Sequence, residues 1–378
     1  MTEQTESGVV TSRIETRVIE TARIATGVRE RPACSPASDD HTIVFVHGNV
    51  SSSLFFEHLL EDLPDDIRGV AIDLRGFGDS EHAPIDATRG VRDFSDDLHA
   101  ALSELGIERP HLFGWSLGGG VVLQYALDHP VASLTLEAPV SPYGFGGTRR
   151  DGSRLDTDDA GCGAGGANPD FVERLTAHDT SADAPTSPRT VFRTGYVGAS
   201  YEGAPGDEDL WVASMLTTST ATGNYPGDSA PTEAWPGFGP GTIGVLNALA
   251  PRYFNVSAIT ELAEKPPILW VHGTADAIVS DASFFDLNQL GALDTVPGWP
   301  GAELAPPQPM LSQTRDVLAA YGEAGGEVTE LELEGVGHSP HIERPAEVRQ
   351  ALLAHIGYVG RAADPAPPTE AIILRSAD

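Results

Sequence analysis

The sequence predicts an α/β fold: a mostly parallel sheet with helices on both faces, interrupted by a large cap insertion. Three observations carry that prediction. Short continuous apolar runs, suited to buried strands, alternate with helical stripes between residues 41 and 139. The alternation stops from 144 to 262 and resumes from 267 to 356. With 378 residues the chain is long enough for one large α/β domain carrying an insertion.

Each element has its own warrant. Residues 9–30 alternate β-branched and polar side chains, as half-exposed strands of an antiparallel edge do. Residues 34–40 are a loop by their Pro, Ser and Asp content. The apolar run 41–47 reads as a buried strand entering the polar turn 48–53, with a helix over 54–63. A strand follows at 69–73, with its exit loop reaching Ser80. Phe94, Leu98, Ala101, Leu102 and Leu105 form a helical stripe. Residues 111–113 and 132–139 are short strands, separated by a helix over 121–127.

The stretch 144–262 is rich in Gly, Asp, Thr and Pro, with possible helices at 209–216 and 242–250. A structureless loop that long is improbable inside a compact domain, so it reads as a cap or lid. Tyr143, Phe145, Trp211, Met215, Tyr253 and Phe254 are its candidates for roofing a pocket. The core resumes with a strand at 267–273, a Pro- and Gly-rich loop at 291–309, and a helix at 313–321. A strand at 328–333 and a helix from Pro345 complete it. The expected division is a core of 1–143 and 263–360, a cap of 144–262, and a tail of 361–378 whose run 371–374 is apolar enough to dock.

Charge excludes several partners. The 55 Asp and Glu against 23 Lys and Arg give a net charge of −32, and Lys265 is the sole lysine. Such a surface repels nucleic acid and anionic membranes. The acidic residues are spread along the whole chain and form no single acidic tail; the composition resembles that of proteins from salt-loving organisms, with an acidic protein of a high-GC mesophile as the alternative. No run approaches a spanning helix, and the acidic N-terminus lacks the apolar region of a secretory signal, so a cytoplasmic location is expected. Cys34 and Cys162 form neither a disulfide framework nor a metal motif.

The chemistry centres on Ser116. Gly114-Trp115-Ser116-Leu117-Gly118 fits G-x-S-x-G between a strand and a helix, where the glycines permit a sharp turn that exposes the hydroxyl. In a chain with 41 glycines the pentapeptide alone is weak evidence. A serine nucleophile also needs a base, itself oriented by a third group. Asp276 and His338 follow in the order Ser, Asp, His, each just beyond a predicted strand, the edge where open parallel sheets gather their sites.

Together with His47-Gly48-Asn49, the stretch Asp73 to Ser80, His272-Gly-Thr-Ala-Asp276 and Gly337-His338-Ser-Pro-His341, these motifs resemble the α/β-hydrolase-fold family over about 9–143 and 263–358. The resemblance implies Ser116 as nucleophile, His338 as general base and Asp276 as orienting carboxylate. It implies an oxyanion hole from the N–H groups of Asn49 and Leu117, with His47 and Gly48 shaping that loop. It implies no cofactor and no metal. Glu137 is the rival to Asp276, since some members of the fold place the acid after the strand that follows the nucleophile. His341 and Glu343 hint at a metal pair but read more simply as a structural turn, and His272 as a hydrogen-bonded structural residue. Asp73 and Arg75 are expected to stabilise turns.

The turn after His47 is similar to that of haloalkane dehalogenases, but those enzymes and epoxide hydrolases use an aspartate where this chain has Ser116. Hydrolysis of a carboxylic ester of a small to medium molecule is the expected reaction. C–C bond hydrolysis, acyl transfer and perhydrolase or metal-free haloperoxidase chemistry are the alternatives on the same residues, and a non-catalytic small-molecule receptor is the alternative from another class.

Overall fold

In the computed structural model, which describes residues 13–33 and 42–359, the predicted strands pair into one eight-stranded sheet. Its strands are β1 (Glu15–Glu20), β2 (Ala25–Arg31), β3 (Thr42–Val46), β4 (Arg68–Ile72), β5 (His111–Trp115) and β6 (Ser133–Glu137). After a separate hairpin of β7 (Ser229–Pro231) and β8 (Phe238–Pro240) come β9 (Ile268–Gly273) and β10 (Val328–Leu333). The order is β1-β2-β4-β3-β5-β6-β9-β10, antiparallel at the β1-β2 and β2-β4 pairings and parallel from β4 onward. Every residue of β3, β5, β6 and β9 is buried, as expected of apolar runs covered on both faces. β1 is mostly exposed, in keeping with an edge.

The helices are α1 (Glu57–Glu61), α2 (Arg92–Glu104), α3 (Leu117–Asp128), α4 (Pro169–Thr176), α5 (Pro188–Val191), α6 (Asp207–Met215), α7 (Val245–Ala248), α8 (Leu287–Ala292), α9 (Met310–Glu323), α10 (Pro340–Glu343) and α11 (Pro345–His355). α2 packs on α3, and both α3 and α9 meet the 3-10 turn Ser257–Glu261; α1 and α10 pack instead on α11. The sheet lies between these two groups.

Two expected helices are shorter than the pattern suggests. Over 54–63 the chain first makes the 3-10 turn Ser53–Phe56, because Asp73 Oδ1 accepts the Ser53 N–H at 2.7 Å and Ser52 caps Leu54. Over 242–250, Gly244 at φ 97° delays the helix until α7. The expected elements at 9–12, 34–41 and 361–378, including the 371–374 run, lie outside the described residues.

The stretch 144–262 holds α4 to α7 and the small hairpin, and α6 packs on the 3-10 turn Ser53–Phe56. Phe192, Tyr196, Trp211 and Met215 belong to the same hydrophobic cluster as Phe55 and Trp115. Phe55 serves both sides, with ring centroids 5.0 Å from Trp115 and 5.4 Å from Trp211. No described helix is long and apolar enough to cross a membrane.

Topology places the site. The chain leaves β3 for β4 on one side and then returns past β3 to β5 on the other. Strand order reverses between β3 and β5, and in open sheets the crevice at such a reversal is the binding place.

Candidate catalytic site

The C-terminal ends of β3 and β5 are in register, Val46 opposite Gly114, so the turns leaving them meet. Ser116, between β5 and α3, has φ 56° and ψ −117°, a backbone that non-glycine residues adopt only where their surroundings enforce it. The enforcement is visible. Ser116 N–H donates to Glu137 O at 2.9 Å, and Ser116 O accepts from Val140 N and Gly119 N, each at 3.0 Å. A Cβ on Gly118 would lie 2.1 Å from Val46 O, so only glycine lets α3 approach β3 this closely.

The structure brings His338 and Asp276 together. His338 Nδ1 lies 2.8 Å from Asp276 Oδ2, and both side chains are buried. Asp276 Oδ1 accepts the N–H groups of Ile278 at 2.7 Å and Val279 at 2.9 Å, which fixes the carboxylate plane. With Nδ1 engaged, Nε2 is the nitrogen left for the cavity that Ser116 and His338 both line. Trp115 Nε1–H donates to His338 O at 2.7 Å and ties the histidine loop to the serine strand.

Glu137, the rival acid, is paired elsewhere. Its Oε1 accepts the His341 backbone N–H and its Oε2 meets His341 Nδ1, both at 2.6 Å, in a fully buried dyad behind the Trp115 ring. Glu343 accepts from Gly337 N–H at 2.7 Å and Gly198 N–H at 2.9 Å, and burial pushes its carboxyl upward. His341 and Glu343 thus serve two separate backbone anchors and share no ligand position.

His272 Nε2 meets Glu330 Oε1 at 2.8 Å and its ring stacks on Trp270. Among the described residues, His272, Glu330 and Glu332 are the one group spaced to hold a metal. Arg315 already lies against both carboxylates, 2.6 Å from Glu330 and 3.4 Å from Glu332, and so neutralises the charge a cation would need. Asp73 and Arg75 stabilise turns as expected: Asp73 Oδ2 accepts Asp79 N–H, while Arg75 holds Asp97 and donates to Pro84 O.

The turn after β3 forms the opposite wall. A Cβ on Gly48 would lie 3.0 Å from Ser116 Cβ and 3.1 Å from the Trp115 ring, so glycine lets the loop sit against the serine without either neighbour moving. His47 Nδ1 donates to Gly48 O at 2.7 Å while Nε2 accepts the Leu74 N–H at 3.0 Å, and burial lowers its pKa, so the ring is neutral. Among the described residues, neither the Asn49 N–H nor the Leu117 N–H donates to another protein group, and both residues line the cavity beside Ser116.

The cavity has a volume of about 380 Å³. Of the six residues expected to roof it, only Phe145 lines it; Trp211, Met215 and Phe254 are consumed by the core they share with the sheet. Phe171, Tyr196 and Tyr225 line it instead, joined by Phe284 and Phe285 from the loop after Asp276. No signal in the sequence marked these residues, because they lie in stretches without periodicity. Described Lys and Arg side chains are absent from the lining; its one carboxylate is Asp286, which burial pushes up to about 6 although it accepts from Asn288 and Gln308 N–H.

A family model described as alpha/beta hydrolase fold matches residues 41–290, more than half of the chain. Over 123 residues the chain is 37% identical to the dihydrolipoyllysine-residue acetyltransferase component of the acetoin cleaving system of Cupriavidus necator, covering 32% of this chain and 31% of that protein. The match thus spans about a third of that relative's length. The esterase RhEst1 from Rhodococcus superposes with a TM-score of 0.54 at 19% identity, covering 92% of this chain and 100% of that one. The carboxylesterase CesB from Bacillus subtilis gives 0.52 at 16% identity, with 91% of each chain covered. At these identities the two structures share the fold. The serine turn, the strand order and the matched family model lead to one conclusion: the chain belongs to the alpha/beta hydrolase fold family of enzymes.

Proposed function

We propose that the protein is a cofactor-independent serine hydrolase that cleaves a carboxylic ester of a small to medium molecule through an acyl-enzyme on Ser116. The observation that carries this reading is the exposure of one strained serine to one cavity with His338, held by Asp276, and the unpaired N–H groups of Asn49 and Leu117. In the first half-reaction Ser116 Oγ attacks the ester carbonyl carbon while His338 Nε2 takes its proton. The two N–H groups stabilise the oxyanion, and His338 returns the proton to the leaving alcohol. Water then repeats the sequence against the acyl-enzyme, releasing the acid and free Ser116.

The test is turnover of nitrophenyl esters of graded acyl length, without added cofactor. Neutral short and medium esters should be hydrolysed. An ester carrying a carboxylate in its acyl chain should show a kcat/KM about tenfold or more lower than its neutral isostere, because the lining offers Asp286 and no cation to pair it. Failure to hydrolyse any ester would reject the reading. Acyl transfer is the second reading, favoured by the acetyltransferase name of the Cupriavidus relative. Adding an alcohol acceptor separates the two, since a transferase would divert most of the acyl group to a new ester.

The reading includes a high-salt setting, supported by the net charge of −32. Screening relieves self-repulsion of the compact state, so the melting temperature should rise from low to molar KCl. A flat or falling melting temperature would contradict it.

A further inference from the structure

The strain beside the serine is matched by strain in the facing loop. Val50, a β-branched residue, has φ 48°, a region that side chains of that shape rarely occupy. Such a backbone persists only where its surroundings hold it. The first three carbonyls of that turn are held. Gly48 O accepts from His47 Nδ1 at 2.7 Å and Ser51 Oγ at 2.8 Å. The next two carbonyls, Asn49 O at 2.9 Å and Val50 O at 3.2 Å, share one donor, the hydroxyl of Tyr196.

Tyr196 ends the π-helical turn Phe192–Tyr196, far from the loop in sequence. Its ring is edge-on to His338 at 6.2 Å and to Trp115 at 5.9 Å, and it lines the cavity. Burial raises its pKa far above the ordinary range, so the hydroxyl keeps its proton and remains a donor.

We propose that Tyr196 is a positioning residue for the reaction: its hydroxyl holds the Asn49 and Val50 carbonyls so that the Asn49 N–H stays aimed at the developing oxyanion. This rests on the ester-hydrolase reading and extends it. The stretch 144–262 then does more than cover the cavity, because it supplies the latch on half of the oxyanion hole. With the latch broken, Val50 gains by relaxing toward negative φ, the Asn49–Val50 peptide turns with it, and the Asn49 backbone that carries the N–H shifts.

Tyr196→Phe keeps the ring packing and removes only the donor. Its kcat on a neutral nitrophenyl ester should fall about 10- to 100-fold, the scale expected when a catalytic group is misplaced by a fraction of an ångström to an ångström. KM and melting temperature should stay near wild type. The affinity of an alkyl boronic acid, which forms a tetrahedral adduct on Ser116, should fall in parallel with kcat. Val50→Gly removes the bias against positive φ, so the penalty of Tyr196→Phe should shrink in that background.

Wild-type kcat and boronate affinity in Tyr196→Phe would overturn the inference, as would a loss confined to KM and melting temperature. So would a penalty of equal size in the Val50→Gly background. A wild-type protein that neither turns over esters nor binds the boronate overturns the ester-hydrolase reading itself and this inference with it, so the two failures are distinguishable.

Discussion

His338→Ala should lower kcat on a neutral ester by about a million-fold, the loss typical of removing one member of a catalytic unit whose parts act together. His341→Ala, three positions on, should leave kcat within about tenfold. The contrast follows from their partners. Both imidazoles place Nδ1 against a buried carboxylate, but only His338 lines the cavity with Ser116, whereas His341 lies behind Trp115 against Glu137. The cost of His341→Ala should instead appear in stability. It leaves the fully buried Glu137 carboxyl with one backbone donor, and leaving a buried polar group short of a partner costs about 1–3 kcal/mol. Steady-state kinetics with a thermal melt on each variant check this, and a severe kcat loss in His341→Ala beside a mild one in His338→Ala would reverse the assignment.

Asp276→Asn should reduce kcat by about 10⁴-fold while leaving the fold intact, because an amide in that place favours the wrong imidazole tautomer. The carboxylate is held by Ile278 and Val279 N–H on one oxygen and presents the other to His338, so an amide fits the same space. Glu137→Gln, the corresponding change in the second dyad, should cost stability and little in kcat. Comparable kcat losses in both variants would show that the two dyads are functionally linked.

Much of this arrangement was legible in the sequence because buried parallel strands announce themselves. β3, β5 and β9 are short apolar runs that lead into the Asn49, Ser116 and Asp276 turns, and Gly118 marks a backbone approach that a Cβ forbids. The competition between Glu137 and Asp276 was not decidable from spacing, since both follow strands. Only the folded positions give Glu137 to His341.

The stretch 144–262 was the least legible. Its aromatic residues follow no period, and Trp211 and Met215 are spent on a core shared with Phe55, an allocation that no local pattern encodes. Tyr196 was silent for the same reason: its hydroxyl acts on carbonyls far away in sequence. Phe284 and Phe285 lie in a loop whose role depends on where Asp276 brings the chain.

The proposed mechanism stands or falls with Ser116 as the nucleophile. Its most direct test is reaction of the full-length protein with a fluorophosphonate, followed by mapping of the modified peptide. A single adduct on Ser116 is expected, absent in Ser116→Ala and formed far more slowly in His338→Ala. An adduct on another residue, or labelling that persists in Ser116→Ala, would contradict it.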